Sequence, residues 1–128
     1  MIPLGDSRTT FYQRKVTDLS GNLLHDYNYF MFKIIVIGNS AVGKTSIVNR
    51  FVGDRFDHNY KATIAADFQV KILNLQGNEI RLQIWDLVGM DTNFAGINRS
   101  FCRNASGAIL VGDITDESSI LATAEWKE

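Results

Sequence analysis

Gly38-Asn39-Ser40-Ala41-Val42-Gly43-Lys44-Thr45 is the segment whose residue types and spacing point most directly to chemistry. It fits G-x-x-x-x-G-K-[ST] at every fixed position, a pattern that holds phosphate groups. Gly38 and Gly43 let the backbone wrap so that successive N–H groups face phosphate oxygens. The candidate contacts run through Gly38, Asn39, Ser40, Ala41, Val42, Gly43, Lys44, Thr45 and Ser46. Lys44 adds a point charge for the outer phosphates, and the Thr45 hydroxyl is a candidate Mg²⁺ ligand. A phosphate loop also needs an acid at the end of a neighbouring strand to hold the metal, directly or through water. Asp86 closes Arg81-Leu82-Gln83-Ile84-Trp85-Asp86, and Gly89 follows where a bare backbone N–H can approach a phosphate.

The elements around these residues read as a strand, a loop and a helix, the context such a loop requires. Phe32 to Ile37 is a nearly continuous β-branched, apolar run, as in a strand buried on both faces. The helix after the loop is expected to place Ile47, Val48, Phe51 and Val52 on one face. Gly53 to Ala66 has no period and reads as a long loop. Phe68, Val70 and Ile72 alternate with polar residues, as do Ile80, Leu82 and Ile84, and Gln76-Gly77-Asn78 between them predicts an antiparallel hairpin. Gly107 to Asp113 reads as a further strand, and Asp116 as the N-cap of a last helix on which Leu121 and Trp126 pack against the sheet. The order implies an α/β fold: a P-loop three-layer sheet with helices on both faces. Residues 1–31 show no sustained period and read as a flexible N-terminal extension, with 32–128 as the phosphate-loop domain.

Composition bounds the rest. The 128 residues are 45% apolar and 21% charged, which excludes a disordered or collagen-like chain. Thirteen Lys and Arg against fourteen Asp and Glu give a net charge of −1, so no global basic surface draws the chain to nucleic acid or acidic lipid. The longest apolar runs are strand-sized, too short for a membrane-spanning helix. The single cysteine, Cys102, reads as a semi-buried apolar residue, and His25 and His58 as surface residues.

Together, Gly38 to Ser46, Tyr60-Lys61-Ala62-Thr63-Ile64-Ala65-Ala66-Asp67-Phe68 and Leu82-Gln83-Ile84-Trp85-Asp86 resemble a Ras-superfamily small GTPase of the Rab branch. Asn104 to Val111, Asp113-Ile114-Thr115 and Trp126-Lys127 agree in order and spacing. Tyr60-Lys61-Ala62-Thr63 with Lys71-Ile72-Leu73 is most similar to the subgroup associated with lysosome-related organelles. The resemblance implies the first four strands of a six-stranded small-GTPase fold, a GTP/GDP and Mg²⁺ site, and a switch regulating vesicle traffic. It implies that Thr63 closes on Mg²⁺ and the third phosphate when GTP is bound, that Phe56 lies against the guanine ring, and that Tyr60 covers the phosphates. It also implies that Gly89 gives a backbone contact to the third phosphate. Exchange factors, activating proteins and effectors would read the two switch loops with Phe68 and Trp85, and a prenylated full-length form would lie in the cytoplasm against endomembranes.

The chain departs from the family where hydrolysis is concerned. Trp85-Asp86-Leu87-Val88-Gly89-Met90-Asp91 stands in place of the usual Trp-Asp-Thr-Ala-Gly-Gln-Glu, so Met90 occupies the position of the water-orienting glutamine. A thioether has no N–H to donate, and hydrolysis is expected to be impaired. Among the catalytic positions, Lys44 and Thr63 match the family and Met90 does not. Val88 replaces the usual alanine, and Ala65-Ala66 the usual Gly-Val. The guanine-specificity motifs, Asn-Lys-x-Asp and Ser-Ala-Lys, and the prenylated cysteines belong beyond residue 128 in the family pattern. The alternative to a hydrolysing switch is a non-hydrolysing module that engages regulators or effectors. A nucleotide kinase or ATPase is disfavoured by Thr63-Ile64 and by the Asp86-x-x-Gly89 spacing.

Overall fold

The structure is a computed structural model that describes residues 10–59, 61–89 and 100–125. Among these residues, five strands and two principal helices follow in chain order as β1 (Thr10–Thr17), β2 (Leu23–Ile37), α1 (Lys44–Gly53), β3 (Ala66–Leu75), β4 (Asn78–Leu87), β5 (Gly107–Leu110) and α2 (Glu117–Glu125). One mixed sheet holds all five strands, in the order β1-β2-β4-β3, with β5 also on β2. β2 runs parallel to β4 from Tyr29 to Val36, and parallel to β5 from Ile34 to Ile37. β3 and β4 form the expected antiparallel hairpin, closing Leu75 on Asn78. Gln76 and Gly77 both have positive φ, 52° and 79°, which gives the two-residue turn the twist that a hairpin needs.

Alternation along β2 and β4 sends side chains to two small cores. On one face Val36, Ile84 and Val111 pack with Val48 of α1, joined by Val42, Val52 and Leu82. On the other, Ile35, Ile37 and Leu87 pack with Trp85, Phe101 and Ala105. Both layers meet at the carboxyl ends of β2 and β4, so the best-buried part of the sheet supports the phosphate loop.

Residues 10–31, expected as part of a flexible extension, instead form strand. β1 pairs antiparallel with the first half of β2, from Thr10 opposite Met31 to Thr17 opposite Leu23. The turn is held by Asp18, whose Oδ1 accepts the N–H groups of Ser20 and Asn22, both at 2.9 Å. Its Oδ2 accepts from Asn22 Nδ2 at 3.0 Å, and Gly21 supplies φ 85°. These donors favour the charged carboxylate, and the Asn22 side chain leads in holding Asp18 below the ordinary value. Rings seal the hairpin to the sheet on both faces: Phe11 meets Phe30 at 5.3 Å, and Tyr12 stacks on Tyr29 at 4.8 Å. The strand expected to start at Phe32 is thus the second half of a fifteen-residue strand.

Three smaller expectations also change. Val48 is buried on α1 and Val52 packs beside it, whereas Ile47 and Phe51 are exposed, because the sheet covers a narrower stripe than the four apolar residues span. Asp116 does cap α2, its Oδ1 accepting from Ser118 N at 3.0 Å, but Leu121 is exposed and the buried side chain is Ser119. Ser119 is buried because its hydroxyl ties Asp113 N, at 2.8 Å, to the helix start. Cys102 is exposed, not semi-buried. Trp126 lies outside the described residues.

Candidate functional site

The site lies beyond the carboxyl ends of the parallel strands β2 and β4, where open α/β sheets bind ligands. Ile37 delivers the chain to Gly38, whose φ of 148° is one that side chains rarely adopt. A Cβ on Gly38 would stand 2.2 Å from the Val111 carbonyl oxygen, so only glycine lets the loop leave the sheet this close to β5. Ala41 and Gly43 then take positive φ, 62° and 94°, and the alternation curls the backbone into a concave loop. Gly43 sits at the N-cap of α1 and provides no side-chain cap, leaving the helix start open to an anion.

Lys44 is the first residue of α1 and is buried. Its ammonium donates to the carbonyls of Gly38 at 3.1 Å and Asn39 at 2.7 Å, across the mouth of its own loop. Thr45 stands beside it and meets two residues far away in sequence. Its hydroxyl lies 2.9 Å from that of Thr63, which the loop after α1 brings in, and it donates to Asp86 Oδ2. Thr63 also reaches Asp86 Oδ2, at 3.5 Å. Two hydroxyls and one carboxylate thus converge, and all three are oxygen donors suited to a hard cation.

Asp86 is nearly fully buried, and its Oδ1 has no hydrogen-bond partner among the described residues. Burial pushes its pKa up, against the Thr45 hydrogen bond and the Lys44 charge that pull it down. A desolvated carboxylate oxygen without a donor costs about 1–3 kcal/mol or more. A cation beside the Thr45 and Thr63 hydroxyls would neutralise this buried carboxylate, so the residues present fit Mg²⁺.

The cavity above this cluster measures about 240 Å³. Ser40, Ala41, Gly43, Lys44, Thr45 and Ser46 form its floor, and Thr63 and Gly89 its walls. Gly89 closes directly on the loop: a Cβ there would stand 2.3 Å from Ser40 N. Val88 N donates to Ala65 O at 3.0 Å, tying the segment after β4 to the one before β3. Ala65 adopts φ 61°, a conformation that suits the glycine usual at this position in the family.

The Ras family model matches residues 33–128, from the middle of β2 through α2. The chain belongs to the Ras family. Its named relatives place it in the Rab branch. It is 43% identical over 103 residues to Ras-related protein Rab-30 of Homo sapiens, covering 80% of this chain and 50% of that one. It is 41% identical over 102 residues to Ras-related protein Rab-32A of Dictyostelium discoideum, covering 79% of this chain and 46% of that one. A third relative is EF-hand calcium-binding domain-containing protein 4B of Homo sapiens, 43% identical over 96 residues, which are 75% of this chain and 13% of that protein. The chain thus spans half or less of the length of these curated relatives. No helix among the described residues is long and apolar enough to cross a membrane.

Most of the Ras-family positions named from the sequence meet at this cavity, although they come from three separate segments. Gly38 and Asn39 contribute through carbonyls that hold Lys44, and Val42 faces the core instead. Phe56 is not among the residues that line the cavity; it is exposed, with its ring edge-on to His58 at 5.0 Å. Tyr60 and Met90 lie outside the described residues. The lining also includes Asn49, Asp57, Asn59 and Lys61, which sequence reasoning did not single out. Asn49 had a readable signal: it lies one helical turn beyond Thr45, on the same face of α1.

Proposed function

We propose that this chain is the phosphate-binding portion of a Rab-type switch, which binds GTP and GDP with Mg²⁺ and regulates membrane traffic. The convergence of the Thr45 and Thr63 hydroxyls on Oδ2 of a buried Asp86, whose Oδ1 has no partner among the described residues, carries the reading. Mg²⁺ supplies neutralisation of phosphate charge when bound. Thr45, Thr63 and Asp86 would hold it, Asp86 directly or through water. Lys44 exchanges its loop carbonyls for phosphate oxygens, and the α1 N-terminus adds its dipole to the same charge. Thr63 and Gly89 sit on segments tied by the Val88–Ala65 hydrogen bond, so a ligand that moves one moves the other. That coupling supports an order–disorder switch read by exchange factors, activating proteins and effectors at the loops beside Phe68 and Trp85. Such a switch works in the cytoplasm against endomembranes.

Hydrolysis is the weak step in this reading. Met90 offers no donor or strong acceptor to orient an attacking water, and Val88 adds a β-branched side chain beside the pivot at Gly89. The GTP-bound state is therefore long-lived unless an activating partner supplies the missing groups. Titration with a fluorescent GDP tests binding: affinity is expected with Mg²⁺ and a marked loss with EDTA, and no binding in either buffer sinks the proposal. Single-turnover hydrolysis of GTP by wild type and Met90→Gln tests the catalytic part. A faster variant is expected, and an unchanged rate assigns the limit to Val88 or to structure outside this chain instead.

A further inference from the structure

β1 and β5 lie along the same edge of β2, because β4 occupies the other edge from Tyr29 to Val36. From Gln13 to Asn28 the hairpin extends past the last β2–β4 pair, so among the described residues this stretch is a two-stranded ribbon. Two-stranded ribbons are marginal in water, and a third strand is what ordinarily stabilises them. The outer edge of β1 is unpaired along all eight residues among those described, a template about 26 Å long at strand spacing.

The chemistry of this edge is polarised. β1 reads Thr-Phe-Tyr-Gln-Arg-Lys-Val-Thr, with two cations and no acid. Lys15 has Asp26 opposite it in the register, whereas Arg14 stands opposite Tyr27 and is exposed. On the same face a recess of about 220 Å³ is lined by Arg14, Val16, Tyr29, Glu79 and Arg81. Glu79 is already engaged there, accepting from Arg81 Nε at 2.6 Å, and the Arg81 guanidinium lies 3.9 Å from the centre of the Tyr29 ring. Arg14 is the cation that β1 itself, the edge strand, contributes to this recess, and it is exposed.

We propose that the outer edge of β1 is a docking site for an extended acidic segment of another protein, which adds to the sheet as a further strand and pairs a carboxylate with Arg14. Backbone hydrogen bonds to Thr10–Thr17 supply the sequence-independent part, and Arg14 selects acidic partners. Pairing with a second copy of this chain is disfavoured by charge, since it sets the Arg14 and Lys15 cations of two β1 strands beside one another. The site is separate from the nucleotide cavity and does not depend on it.

Amide hydrogen exchange of the full chain tests this with two blocked octapeptides, one alternating Glu and Val and one alternating Lys and Val. At about 1 mM peptide, the Glu-Val probe is expected to slow exchange of the outward-facing β1 amides about tenfold, and the Lys-Val probe to leave them unchanged. Arg14→Glu should reverse the preference. Arg14→Gln, which keeps the length and polarity of an exposed side chain, should abolish the selectivity while β3 and β4 exchange as in wild type. The proposal is overturned by no protection from the Glu-Val peptide or by equal protection from both peptides. It is also overturned by protection that grows with protein concentration without peptide, which would assign the edge to a second copy.

Discussion

At its C-terminal end β2 lies between β4 and β5, and Ile35, Val36 and Ile37 are each about 5% exposed or less. Over its first residues it has, among the described residues, β1 alone beside it, and Leu23 and Leu24 are 56% and 62% exposed. One strand therefore spans two physical regimes. The buried end can hold a charged group in a fixed, partly desolvated place, as it does with Lys44 and Asp86. The exposed end cannot, and it is held by ring stacking, a cation over a ring and an Asp-based turn. Desolvation makes electrostatics strong at one end, while shape and an open backbone edge remain at the other.

Substitutions can break this contrast, beginning with the largest effect. Gly38→Ala places a Cβ against the Val111 carbonyl, and the displaced loop is expected to cost about 3 kcal/mol of stability. Urea denaturation would measure it, with nucleotide binding lost in parallel. Lys44→Ala removes a charged donor from the buried end, and GDP affinity should fall about a hundredfold by fluorescence titration. Exchange protection over β1 should not change, which is what separates the two regimes. Tyr29→Ala acts in reverse: loss of its stack with Tyr12 and its contact with Arg81 should cost about 2 kcal/mol. It should be read as faster exchange across Thr10–Thr17, with GDP affinity retained.

The smallest effect sharpens the electrostatic half of the comparison. The folded-state pKa of Asp86 is raised by burial, so the folded chain binds that proton more tightly than the unfolded one. Its contribution to stability is present below the ordinary value of 3.8 and is lost as pH rises through the raised folded value. In EDTA near neutral pH, Asp86→Asn is expected to melt above wild type. With Mg²⁺ and nucleotide the order should invert, because the carboxylate then has its cation. Thermal melts in the two buffers check both signs.

What was legible in the sequence follows the same division. The phosphate loop is a local pattern, since Gly38, Gly43, Lys44 and Thr45 must be adjacent to curl one loop. Thr63 is not local, and nothing in its own segment marks it; resemblance alone suggested it, and only the fold sets it 2.9 Å from Thr45. The β3–β4 hairpin was readable because one face is half-buried and the alternation survives. The β1–β2 hairpin was missed because its ribbon is solvated on both faces, which removes the need for alternation. Its signal lay instead in Asp18 to Asn22, a turn-forming cluster between two β-rich runs. Ile47 and Phe51 show the opposite error, since their helical spacing is sound but the sheet is too narrow to cover them.

The most direct test of the central claim is the nucleotide content of the purified chain, released by acid denaturation and identified by chromatography. The expected result is stoichiometric guanine nucleotide from wild type and none from Lys44→Ala. A chain that releases no nucleotide, and takes up neither added GDP nor GTP in the presence of Mg²⁺, would contradict the assignment of the Gly38–Thr45 loop and the Thr45–Thr63–Asp86 cluster to nucleotide binding.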